Sequence, residues 1–110
     1  MINWGIKIPL KGLTNSIRVY LAILKCNIDL QYLHELWNTQ KGLCALSGIP
    51  MTYYFDSGRV PTNVSVDRIN SNLGYIKGNL QLVCMAVNQM KSDLTIEQLK
   101  YFCKSILEYK

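Results

Sequence analysis

The chain has 110 residues, 49% hydrophobic and 17% charged, with twelve Lys and Arg against seven Asp and Glu for a formal charge of +5. That length supports one core rather than two, and the apolar content excludes a disordered chain. The positive excess favours a polyanionic partner through counterion release without requiring one.

No apolar run is long enough to span a membrane, and M-I-N-W-G-I-K-I-P-L-K-G lacks the apolar stretch and cleavage site of a signal peptide. A cytoplasmic protein without a membrane partner is expected. Cys26, Cys44, Cys84 and Cys103 form no C-x-x-C pair, so free thiols are expected in a reducing compartment.

Residues 1–13 mix Gly5, Pro9 and Gly12 with Trp4 and Ile8, which suggests an extended N-terminal arm. A helical lead-in over residues 14–43 follows. Thr14, Asn15 or Ser16 caps I-R-V-Y-L-A-I-L-K-C, apolar almost all round, and Asp29 caps L-Q-Y-L-H-E-L-W-N-T-Q-K. In the second of these helices Leu30, Leu33 and Trp37 form one stripe, and Gly42 supplies the stop.

In L-C-A-L-S-G-I-P-M-T-Y-Y-F, turn residues Ser47, Gly48 and Pro50 predict a knuckle between short strands, and D-S-G-R-V-P-T-N predicts a polar loop. Val64 and Val66 alternate with Ser65 and Asp67 as in a short strand. After the turn-rich N-S-N-L-G-Y-I-K-G, Asn79 is expected to start a helix with Leu80, Val83, Cys84 and Val87 facing the core and Asn88 one turn beyond Cys84. Over residues 95–109, Thr95 and Gln98 form a capping box ahead of an apolar stripe of Ile96, Leu99, Phe102, Cys103 and Ile106. Trp37, Tyr53, Tyr54, Phe55 and Phe102 are expected in the core, all within a single domain.

The string S-V-D-R-I-N-S-N-L-G-Y-I-K-G-N-L-Q-L-V-C-M-A-V-N-Q-M-K sets Asp67, Asn79, Asn88 and Lys91 in a distinctive order. Together with the upstream E-L-W-N-T-Q-K-G-L-C-A-L-S-G-I-P-M it resembles the HNH endonucleases, especially small phage-type members, from about Tyr32 to Lys104. The resemblance implies an α+β fold: a knuckle and ββα-metal finger over 44–91 flanked by N-terminal and C-terminal helices. Asp67 and Asn88 would offer oxygen to one Mg²⁺ or Mn²⁺, Asn79 would brace the loop, and Arg68, Lys77 and Lys91 would meet DNA phosphates. The bland alternatives are that Asp67 opens a turn, Asn88 ends a helix and the lysines are solvated.

Arg68 stands where the family has the histidine that deprotonates water. Together with Asp67, Asn79 and Asn88 it completes the expected catalytic set, yet a guanidinium can clamp a phosphate but cannot act as a base near neutral pH. His34, the only histidine, lies far away in sequence, and neither Asp56 nor Tyr75 is recommended by spacing as a partner for water. Many relatives hold a structural zinc with two C-x-x-C pairs. Here Cys44 and Cys84 remain while Ser47 and Val87 take the other positions, so structural zinc is not expected, and Cys26 or Cys103 would have to supply any further thiolate.

The leading expectation is therefore a metal-dependent DNA endonuclease, nicking or of low specificity. The competing one is a catalytically silent HNH-derived module that binds DNA or protein. A protein partner, a homodimer or an accessory subunit completed by another chain's base is compatible with either.

Overall fold

A computed structural model describes residues 28–54 and 58–110. The expected arm, the first lead-in helix, Cys26, Phe55 and Asp56 lie outside these residues. Within them the chain is a small α+β fold of three helices and one two-stranded antiparallel sheet: α1 (Leu30–Gln40), β1 (Val64–Arg68), β2 (Leu80–Cys84), α2 (Met85–Lys91) and α3 (Ile96–Glu108).

Local signals set α1. The Asp29 carboxylate accepts from the Tyr32 amide at 2.7 Å, Leu33 and Trp37 are buried, and Lys41 and Gly42, both at positive φ, end the helix. A Cβ on Gly42 would lie 3.0 Å from the Trp37 ring, so this glycine supplies both the left-handed turn and room for the indole. The knuckle that follows is built from isolated bridges, Leu43 with Pro50 and Thr52 with Asn63, rather than from full strands. Asn63 holds it internally: its Oδ1 accepts from Thr52 Oγ1 and the Tyr54 amide, and its Nδ2 donates to the Tyr54 carbonyl.

β1 and β2 pair with Val64 opposite Cys84, Val66 opposite Leu82 and Asp67 opposite Gln81. This corrects the expected helix from Asn79. Leu80–Cys84 is a strand and the helix begins at Met85. Leu80, Val83, Cys84 and Val87 do fit a helical period, but a short apolar run satisfies both periods, and here pairing with β1 decides. Gln40 adds to that choice by acting as a surrogate strand edge. Its Nε2 donates to the Leu82 carbonyl at 2.9 Å and its Oε1 accepts from the Leu82 amide at 3.0 Å.

α1 packs on β2, while α2 lies against both strands, so the sheet is covered on both sides and most of its residues are buried. The core gathers Ile28, Leu33, Trp37, Cys44, Met51, Val64, Val66, Leu80, Leu82, Val83 and Cys84. Tyr53 packs edge-on against Trp37 with ring centroids 5.8 Å apart, whereas Tyr54 is exposed.

α3 carries the expected capping box: Thr95 Oγ1 accepts from the Gln98 amide and Gln98 Oε1 accepts from the Thr95 amide. Its expected stripe is only partly covered. Leu99 is buried, but Phe102 is exposed and Ile106 is 75% exposed, because the thirteen-residue α3 outruns the seven-residue α2 that it packs against. Among the described residues no helix is long and apolar enough to cross a membrane.

Candidate functional site

The loop between β1 and β2 is shaped by one side chain. Asn79, buried at the foot of β2, accepts from the Asn70 amide at 2.9 Å through Oδ1 and donates through Nδ2 to the carbonyls of Asn70 (3.1 Å) and Gly74 (2.9 Å). It therefore braces the loop rather than capping a helix. Asn79→Ala leaves one donor and two acceptors of the loop without their partner. The expected loss is about 1–3 kcal/mol, measured by urea unfolding, with faster hydrogen exchange at the Asn70 amide.

Arg68, at the end of β1, turns back under the same loop. Its guanidinium donates to the carbonyls of Ser71 (3.0 Å) and Leu73 (3.5 Å), lies 5.4 Å from the Tyr75 ring centroid and stands 3.8 Å from Asp93. A group so engaged buttresses the loop through its Nη1 donors. Lys77 is exposed at the loop's far side, with its ammonium 5.6 Å from the Tyr32 ring centroid. The Tyr32 hydroxyl accepts from the Gly78 amide at 2.9 Å, tying the loop to α1.

Asp67 sits in mid-strand, 4% exposed, with both carboxylate oxygens engaged. Lys91 Nζ lies 3.2 Å from Oδ1, and Gln81 Nε2, directly across the sheet, donates to Oδ2 at 2.9 Å. The Lys91 side chain is 0% exposed, and its ammonium also donates to the Arg68 carbonyl at 3.0 Å. Lys91, expected to meet DNA phosphates, directs its ammonium inward in this fold. Lysine is almost never fully buried unless paired, and this one is paired inward. Asn88, one turn before Lys91, presents Nδ2 to Ser65 Oγ (2.6 Å) and to the Val66 carbonyl (3.4 Å). The carbonyl can only accept, so the amide nitrogen belongs on that side, and the Asn88 oxygen points elsewhere.

The expected ligands Asp67 and Asn88 are thus brought to adjoining positions, but as held they do not fit a divalent cation. One carboxylate oxygen carries an ammonium, the other carries an amide, and Asn88 turns a donor toward β1. A divalent ion about 4 Å from the ammonium would meet repulsion of about 8 kcal/mol at an effective dielectric of about 20. Among the described residues no group of three or more His, Cys, Asp or Glu side chains could hold a metal ion together. His34 is buried on α1, outside the strand–strand–helix unit.

Cys44 and Cys84 do meet. The Cys84 amide donates to Cys44 Sγ at 3.4 Å and both residues are buried. Burial pushes both thiols up. For Cys44 the Ser47 side chain and the backbone amides of Cys84, Leu46 and Ser47 outweigh that and hold it below the usual thiol range, whereas Cys84, beside Cys44, stays raised. Two partners of this region were missed in the sequence: Gln81 on Asp67 and Gln40 on β2. A polar residue inside an apolar run was the available signal for Gln81; Gln40 gave none.

No family model matches the chain, and no solved structure matches it. It is similar to an uncharacterized 29.0 kDa protein in the dda-modA intergenic region of Enterobacteria phage T4, 36% identical over 73 residues covering 66% of this chain and 27% of that protein. It is also similar to uncharacterized protein R423 of Acanthamoeba polyphaga mimivirus, 39% identical over 57 residues covering 52% of this chain and 11% of the relative. The chain therefore spans only about a quarter and a tenth of the lengths of these relatives.

Proposed function

We propose that this chain is a catalytically silent, HNH-derived module that binds DNA. The observation that carries the silent part is the buried pair of Asp67 and Lys91, 3.2 Å apart, which neutralises the one carboxylate that the HNH resemblance makes a metal ligand. Arg68 in place of a base supports it further, since a guanidinium cannot take a proton from water and this one braces the loop. The DNA part is supported by the net charge of +5 and by exposed cations at Lys77 and Arg59, which suit backbone contact without base reading. Matching a stretch of two longer viral proteins suits a portable module.

A second reading, the metal-dependent nicking endonuclease, is favoured by one observation: α2 brings Asn88 against Ser65 and Val66, beside Asp67. One assay separates the two. Duplex DNA and supercoiled plasmid are incubated with the chain in Mg²⁺ or Mn²⁺, and binding and nicking are read together. The expected result is a salt-sensitive mobility shift, weakened by Lys77→Ala, with the plasmid left supercoiled. Nicking that disappears in Asp67→Ala establishes the endonuclease instead, and absence of any DNA shift at low salt sinks the DNA-binding reading.

A further inference from the structure

We propose that α3 is a dimerisation seam, which pairs antiparallel with α3 of a second copy of this chain. Ile96, Leu99, Phe102, Cys103 and Ile106 recur at helical spacing along one face, while Glu97, Lys104 and Glu108 fall on the opposite one. The first half of the apolar face is flanked by α2 and the knuckle, and Leu99 is buried there. Its second half is bare among the described residues: Phe102 is half-exposed, and Ile106, Leu107 and Tyr109 are 75%, 85% and 85% exposed.

Beside the flanked half runs an apolar groove of about 240 Å³ lined by Leu46, Val87, Met90, Ile96, Leu99 and Cys103. One helix thus carries a groove at its N-terminal half and uncovered apolar side chains at its C-terminal half. Turning a second copy end over end brings the bare half of each to the groove of the other, which is the self-complementarity an isologous interface requires. The spacing agrees. With the two-fold axis between Phe102 and Cys103, Leu99 lies level with Ile106 of the second copy, and Phe102 with Cys103 of the second copy.

Size and charge both suit a second copy. Met90, Phe102, Ile106, Leu107 and Tyr109 expose on the order of 600 Å² per copy, taking about 150–250 Å² for a whole aromatic side chain and somewhat less for an aliphatic one. A pair would bury about 1,200 Å², the lower edge of specific interfaces, and a bare patch of this size marks an interaction site. The net charge of +5 opposes self-association. Within α3, however, only Lys100 borders the seam, and it lies level with Ser105 of the second copy, so the pairing forces no like charges together. This pairing goes beyond the DNA-binding reading and does not depend on it.

Sedimentation velocity of the full chain, at concentrations up to about 1 mM where even a weak interface is populated, is expected to show a monomer–dimer equilibrium. Ile106→Glu is expected to weaken the dimer by about tenfold or more, with helical circular dichroism unchanged. A short bismaleimide, which bridges two thiols, is expected to trap the wild-type dimer through Cys103 beside the axis and to lose that product in Cys103→Ser. A wild type that stays monomeric throughout overturns the proposal. A lower urea midpoint in Ile106→Glu then assigns the face to another segment of the same chain, and an unchanged midpoint assigns it to a different protein. A dimer that Ile106→Glu leaves untouched, or a trapped product that persists without Cys103, overturns it as well.

Discussion

Lys91→Met is expected to cost about 3–5 kcal/mol of unfolding free energy in metal-free buffer, the usual penalty for leaving one member of a buried ion pair uncompensated. For a chain of this size that lowers Tm by roughly 10–20 °C. The cause is local: Asp67, 4% exposed, keeps Gln81 on one oxygen but loses the Lys91 ammonium from the other, and the Arg68 carbonyl loses a donor. Asp67→Leu combined with Lys91→Met should recover most of the loss, because a buried pair replaced by apolar side chains of similar volume is often neutral. Urea unfolding of the two single variants and the double one gives the coupling energy directly. A single-variant loss below about 1 kcal/mol would mean that the ammonium reaches water and that the pair behaves like a surface bridge.

Trp37→Ala is expected to cost about 3–5 kcal/mol. The indole fills the angle between α1, the knuckle and Tyr53, stands edge-on to the Tyr53 ring at 5.8 Å and closes over Gly42. The expected signature is a large fall in the urea midpoint with little change in its slope. Trp37→Phe should recover part of the stability, since it keeps an aromatic edge against Tyr53 but not the full volume. Gly42→Ala tests the same packing from the other side, because the added methyl would meet the indole at 3.0 Å on a backbone at φ +72.

Asp29 capping α1, the stop at Gly42, the strand through Val64 and Val66 and the capping box of Thr95 and Gln98 were all legible in the sequence. So was the bracing role of Asn79, which the HNH resemblance implied and its three loop hydrogen bonds match. Each is a short-range signal, a cap, a breaker or a two-residue alternation, whose physics acts within a few residues of chain.

Three features were decided only by the tertiary structure. Leu80–Cys84 carries a helical spacing but forms a strand, because β1 and the side chain of Gln40 satisfy its backbone from distant parts of the chain. The α3 stripe looked like a core face, yet Phe102 and Ile106 face solvent because α2 ends too early to cover them. Lys91, read in the sequence as a phosphate contact, turns inward because Asp67 stands within its reach across the fold. By itself the sequence determined where elements start and stop and which residue types the strand–strand–helix stretch contains. Which of those residues face each other, and whether a charge is open to a ligand or already matched from within, depended on long-range packing, since burial and pairing are properties of neighbours that the chain order does not bring together.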